Sequence, residues 1–414
     1  MQKIISLFIL TILAFATAYS QGGSNYSSLG IGDLNYFGSA AYAGTNGLSI
    51  SYPVTTTLNP RNPAMWSKLT TTRLNAGYLF NQNVISNGTT TLWQNNGSIS
   101  GFSAAFCLDT AKGMTIGLGM SPKSKLNYYI SNPISIEKDG LTLDGQALYQ
   151  GKGGLNDIFL GMSGRFFNFI EVGGEAYYTF GLMSRLSQSL FSSDATTFSP
   201  GVITNDYFTG WGGKFGINCQ INKDFSIGGF WELTQKLNYE NRVTITGIYA
   251  STDTTMVNNK TSELPQSYGL GLSYRINRFL IGADYIAQDY SKLSYNSGSD
   301  MTFRTTNQYI LGLTYFGNPR FSRDYFDRVT YRLGLAYRDL YYNIRGNDMK
   351  EMSMSLGFRL PSSNSMFLDA GFVFGTRGTL NNGLLNEQFG KMYIDISIGE
   401  VWFKPYKRDF GKED

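Results

Sequence analysis

IEVGGEAYYTFGL, residues Ile170 to Leu182, decides the fold. Ile170, Val172, Ala176, Tyr178, Phe180 and Leu182 fall on one face of an extended chain; Glu171, Gly173, Glu175, Thr179 and Gly181 fall on the other. Successive side chains of a strand point to opposite sides, so this segment has one apolar and one polar surface. A strand of a soluble sandwich is seldom this long, and it would not turn two carboxylates toward an apolar core. In a membrane barrel the apolar face meets lipid and the carboxylates meet water in the lumen. The stretch predicts a transmembrane β-strand.

The same alternation recurs from residue 73 to the end of the chain. Leu74, Ala76, Tyr78 and Phe80 open it, and Phe102 to Leu108 follows. Met114 to Met120 comes next, with Thr115, Gly117 and Gly119 between its apolar members. Later runs include Tyr268 to Ile276, Tyr331 to Tyr337 and Met366 to Phe374, and Ile394 to Trp402 closes the set. Several begin and end in Tyr, as at two interfacial aromatic belts. The runs predict an all-β fold, a transmembrane antiparallel β-barrel of about 14 strands over 73–403. Connections alternate in length: Ser121 to Gly154 and Lys236 to Pro265 are long, Asp109 to Gly113 and Asn277-Arg278 short. Outer-membrane barrels keep short turns in the periplasm and long loops outside, which puts both barrel ends on the periplasmic side. Gly317 to Arg328 breaks that rhythm with a longer turn on the short side.

Composition agrees. There are 48 Gly, 28 Tyr and 29 Phe against 10 Pro, with 15% charged residues; glycine suits crowded lumen positions and the aromatics suit the headgroup level. Mean hydropathy is −0.18, and past the N-terminus no apolar stretch reaches the roughly 20 residues of a spanning helix. The net charge of +4 gives no reason to expect nucleic acid. Histidine is absent, which removes Ser-His and Cys-His nucleophiles and His-based metal sites. Neither enzymatic activity nor a metal or other cofactor is expected. Cys107 has lumen parity and Cys219 lipid parity, so no disulfide is expected.

Lys3, the apolar run Ile4 to Ala16 and the small residues of Ala18-Tyr19-Ser20 predict a signal peptide over 1–20 and export to the outer membrane. Residues 21–72 are rich in Gly, Ala and Ser yet carry Leu29, Ile31, Leu34, Tyr36, Phe37, Tyr42, Met65 and Trp66. That is more apolar surface than disordered tails have, and a barrel this wide leaves a lumen to fill. An N-terminal lumenal hatch, or plug, is expected there, and a polar periplasmic tail over 404–414.

Leu29-Gly30-Ile31-Gly32, the Gly/Ala-rich Gly38 to Gly47, and Asn59-Pro60-Arg61-Asn62-Pro63-Ala64 one step before the first strand resemble the hatch of the FadL family of outer-membrane hydrophobic-compound transporters. Asn62, Pro63 and Ala64 correspond to its hatch motif. Tyr331 to Tyr337 and Gly371 to Gly378 are similar to its last hairpins; Val401-Trp402-Phe403 followed by a charged tail departs from it. The resemblance implies passive uptake of hydrophobic molecules such as long-chain fatty acids: capture by outer loops, a lumen pocket, hatch movement and a sideways exit. Gly117, Gly119 and Pro122 are candidates for the kinked strand that opens the wall, against the plainer reading that Gly is common on lumen faces. Glu171, Glu175, Lys214, Arg275, Asp284, Arg332 and Arg338 face the lumen by parity. They serve either as anchors for a charged ligand or as a salt-bridge network that braces barrel and plug. Expected partners are outer-membrane lipids and a hydrophobic small molecule. The alternative function is a plugged accessory barrel of an outer-membrane secretion or assembly complex, docking protein partners through its long loops or C-terminal tail.

Overall fold

The computed structural model describes residues 22–402 apart from 139–140, 193–196, 199, 247–253, 297–299, 319–321 and 363–364. The expected signal peptide and the 404–414 tail lie outside the described residues.

The chain closes an antiparallel barrel of fourteen strands. A two-residue strand, β1 (Asp33–Leu34), belongs to the N-terminal segment. The wall starts with β2 (Thr72–Ser86), β3 (Thr91–Asp109), β4 (Met114–Lys138), β5 (Leu141–Phe166) and β6 (Ile170–Ser192). After the short β7 (Thr197–Phe198) come β8 (Gly201–Gln220), β9 (Phe225–Glu232), β10 (Gln235–Thr246), β11 (Thr254–Leu264), β12 (Ser267–Ile276) and β13 (Phe279–Asp289). The last are β14 (Met301–Phe303), β15 (Thr305–Tyr315), β16 (Thr330–Ile344), β17 (Asn347–Pro361), β18 (Met366–Gly378) and β19 (Asn386–Glu400). β9 with β10, β11 with β12, and β14 with β15 each form one wall strand interrupted by a bend. β19 returns to β2 from Glu400↔Thr72 to Asn386↔Ser86. This pairing closes the sheet on itself, the arrangement lipid imposes on a membrane sheet.

Alternation explains which way the wall faces. Trp211 is 72% exposed and Leu270 65%, and they belong to the outward apolar parity, whereas Glu171, Asp284 and Arg332 on the opposite parity are buried inside. The connections at one end are short. The exception runs from Gly317 to Arg328, where a helical turn, Tyr325–Arg328, is stapled back by Arg278 Nη1 donating to Asp327 Oδ1 at 2.7 Å. That bond holds the exposed Asp327 carboxyl below the usual carboxylate range.

At the other end the expected long loops are largely strand. β4 and β5 run 25 and 26 residues, against the roughly 9–11 that cross a bilayer, and pair up to Lys138↔Leu141. β6 pairs with β8 as far as Gln188↔Gly201, β8 with β10 to Gly201↔Thr246, and β10 with β11 to Ile245↔Thr254. Six neighbouring strands thus rise beyond the lipid band as one sheet. Lipid no longer touches that extension, and at Thr255 to Thr261 both faces are exposed, so the apolar–polar alternation that marks a membrane strand fades there.

Candidate functional site

Residues 22–71 pack inside the barrel. A helical turn, Ala40–Ala43, presses on β17, β18 and β19, with the Ala40 N–H donating to Asp395 Oδ2 at 2.6 Å. A Cβ on Gly357 would lie 2.5 Å from the Gly44 Cα, so only glycine admits this approach. Further along, Asn59 and Asn62 organise the turn into the 3-10 segment Pro63–Lys68. Asn59 Oδ1 accepts from the Arg61 and Asn62 N–H groups at 3.0 and 2.9 Å. Asn62 Oδ1 accepts from Ala64 N–H at 3.0 Å, and its amide donates to the carbonyls of Ile50 at 2.7 Å and Ile217 at 3.0 Å. Pro63 sits at the first helical position, where a missing N–H costs nothing. Asn62 thereby ties the segment to itself and to the β8 wall.

The lumen charges mostly find partners. Glu171 meets Lys68 at 2.5 Å and Arg165 at 3.3 Å, and Glu175 meets Lys214 at 3.3 Å. Asp284 accepts the Ser49 and Ile50 N–H groups at 2.7 and 2.9 Å. Arg332 and Arg359 share Asp369 at 2.7 and 3.2 Å, and Arg338 pairs with Glu351 at 3.2 Å while donating to the Asn46 carbonyl. Arg275 stands apart: it is exposed at the short-turn end, over the Phe316 ring at 4.9 Å. Asp369, Glu351, Arg377 and Glu387 were absent from the sequence-based set. Arg377 bonds Asp33 and Glu387, each at 2.9 Å; the lumen parity of Arg377 was the signal that could have found it. Cys107 and Cys219 are unpaired thiols.

The wall parts between β3 and β4. β3 pairs with β4 only from Asp109↔Met114 to Phe102↔Met120; beyond that rung the two strands share no ladder among the described residues. Gly101, at φ +136, starts the divergence on β3, and β4 shifts register against β5 between Pro122 and Ser124. The N-terminal segment fills the parting. Asp33 and Leu34 pair with Lys125 and Ser124 on the vacated β4 edge, and Asn35 continues the contact, its N–H donating to the Lys123 carbonyl and its amide to the Pro122 carbonyl, both at 2.9 Å. Gly117 and Gly119 lie below, within regular ladder. A Cβ on Gly117 would meet Leu58 and Trp66 at 2.8 Å, so its smallness makes room for the plug.

Behind the parting is a cavity of about 170 Å³, bordered by Gly101, Phe102, Met120 and Ser121 of the wall and by Leu34 and Arg61 of the plug. Arg61, Lys123 and Lys214 oppose Asp157, Glu175 and Glu232 around it. Lys123 bridges Asp157 at 3.1 Å and Glu232 at 3.3 Å. Enclosure, and then the nearby Arg338, push the Arg61 guanidinium down to about 10, still charged near neutrality. Three cations thus face three anions around the cavity. At the long-hairpin end an apolar cluster that includes Tyr290, Leu293, Tyr295, Phe208 and Tyr341 closes the lumen. The Tyr295 hydroxyl donates to Asp206 Oδ2 at 2.5 Å; Arg185 bonds the same hydroxyl and donates to the plug's Gly30 carbonyl at 3.2 Å.

A family model described as BamG matches residues 1–409. The chain belongs to the BamG family. No curated relative matches it. Its fold is the FadL-type barrel that the hatch motif pointed to. A Pseudomonas aeruginosa FadL homologue superposes with a TM-score of 0.63 at 11% identity, covering 91% of this chain and 100% of that one. The Pseudomonas putida toluene transporter TodX gives 0.57 at 12% identity, over 90% and 100% of the two chains. The Ralstonia pickettii toluene transporter TbuX gives 0.57 at 11%, over 88% and 98%. At these identities the likeness of this BamG-family chain to the three is one of fold.

Proposed function

We propose that this BamG-family chain is a plugged accessory barrel, a fixed subunit of a larger outer-membrane assembly whose surfaces rather than lumen carry its role. Its short-turn end, where Thr72 and Glu400 meet, faces the periplasm, and the tall hairpins face outward. The observation that carries this reading is the filling of the parted wall. The parting beyond the β3–β4 ladder is occupied by main-chain hydrogen bonds from Asp33 to Asn35, and the same segment is held from the mouth by Tyr341 Oη, which donates to the Leu29 and Gly32 carbonyls at 3.0 and 2.8 Å. A segment bonded on two sides is a poor gate. Gentle extraction from native outer membranes tests the reading: a stoichiometric protein partner and no retained lipid support it, and a monodisperse chain carrying fatty acid or an aromatic hydrocarbon overturns it.

One observation favours uptake of hydrophobic molecules as a second reading. The cavity reaches both sides of the parting, with Ile31, Leu34, Phe102 and Met120 on its apolar side. Its volume of about 170 Å³ is close to the roughly 150 Å³ that holds benzene in an engineered core and below the roughly 300–1,000 Å³ of ordinary ligand sites. It suits a single aromatic ring; a long-chain fatty acid requires the hatch to withdraw. Toluene flux into proteoliposomes, compared with protein-free vesicles, tests this reading.

A further inference from the structure

The six tall strands β4, β5, β6, β8, β10 and β11 form a sheet with two lateral edges beyond the lipid band. The β4 edge is covered to Tyr129, whose carbonyl accepts from Gln94 Nε2 at 3.1 Å. Above that, Pro133 withholds an N–H and Glu137 adds a charge, two devices that keep a strand edge from pairing. The β11 edge is built otherwise. β13 stops at Asp289 and the chain turns across the mouth through Tyr290 to Tyr295, so the strand that would flank β11 has left the wall. Among the described residues β10 alone pairs with β11. Thr255 to Thr261 are all exposed and contain no Pro, no Gly and a single charge, Lys260. Met256 and Val257, on opposite faces, are 51% and 56% exposed. Against the proline and carboxylate of the β4 edge, this one carries a single defending charge, Lys260, at its lower end, and Thr255 to Asn259 are left open to pairing.

We infer that the β11 edge is a strand-addition site whose occupant is an extended segment of a second, surface-exposed protein, held by main-chain hydrogen bonds along Thr255 to Thr261. The inference rests on the accessory-barrel reading and names where such a partner docks. A small molecule cannot satisfy donors and acceptors alternating over about 23 Å. A second copy fits badly: two copies in one membrane share their up–down sense, so their β11 strands would run parallel about a two-fold axis, which sets like groups opposite each other.

Hydrogen exchange resolved to single amides, on the assembly extracted from native membranes and on the same chain stripped of partners, tests it. In the assembly, every second amide from Thr255 to Thr261 exchanges at least tenfold more slowly, with the residues between unchanged. Val257→Lys, at an exposed position that leaves the barrel's heat-modifiable migration intact, lowers partner recovery at least tenfold and abolishes that protection. If a partner co-purifies while these amides exchange alike in both samples, or if Val257→Lys retains it, docking lies elsewhere: this inference falls and the accessory reading stands. If no partner is recovered at all, both fall. Protection in a species of twice the chain's mass assigns the edge to self-association and overturns the hetero-partner proposed.

Discussion

Phe102 pairs with Met120, and that rung is the last between β3 and β4. Beyond it on the β4 edge, between Pro122 and Asn127, the N-terminal segment supplies the partners: Asn35, the β1 pair, and Ser27, whose Oγ donates to the Asn127 carbonyl at 3.0 Å. Deleting residues 22–35 should therefore leave the β4 edge bare and connect the cavity to the outside. The expected outcome is discrete conductance steps in planar bilayers for the deletion and none for the full chain. Equal, silent traces from both, with the deletion still folded, would count against this role for the segment.

Asn62 makes four hydrogen bonds within the plug and to the wall. Asn62→Ala should cost about 2–3 kcal/mol, since it strands the buried Ile50 carbonyl and takes a donor from that of Ile217. The readout is faster tryptic cleavage at Arg61 and Lys68. Gly216 offers a matched control, because a Cβ there would fall 1.9 Å from Asn62 Oδ1, whereas one on Gly229 meets nothing nearer than 3.4 Å. Gly216→Ala should loosen the plug and Gly229→Ala should not.

Among the described residues, Asp369 is the only carboxylate bonded by Arg332 and Arg359. Asp369→Asn leaves two buried guanidinium groups facing each other and should destabilise the barrel by about 3–5 kcal/mol. The shift in urea midpoint of the refolded protein in detergent measures it. Replacing Asp369 and Arg332 together with apolar residues should recover part of the loss.

Tyr295 fastens the lid over the mouth. Tyr295→Phe removes its bonds to Asp206 and Arg185, at about 1–3 kcal/mol. Amides of Tyr290 to Asn296 should exchange faster while those of β15 and β16 do not change; a uniform acceleration would mean the hydroxyl supports the whole barrel instead.

The barrel was legible because lipid enforces a period of two wherever it touches the wall. Ile170 to Leu182 announces both faces, and the strand number follows from repeating that test. Legibility ended where lipid ends. Thr255 to Thr261 meets water on both faces, so nothing in its pattern separates strand from loop, and the tall sheet read as long connections. Parity also placed Glu171 and Glu175 inside the barrel, but Lys214 lies far along the chain and Lys68 sits in the plug, where no period applies. Pro122 marked a place where a ladder could fail. Which neighbour β4 loses depends on Gly101 of β3 and on β1, and that is a property of the assembled sheet.

The tall sheet gives the molecule a heading. A barrel with a level rim looks the same from every direction in the membrane plane. Here about six of fourteen strands stand up as a parapet on one flank, while β16 to β19 and β2 stay low. Any body coming to rest over the mouth must cross the low flank and stop against the high one. A neighbour drifting in the bilayer likewise meets a different silhouette on each bearing. The height difference gives the barrel a front and a back in the membrane plane.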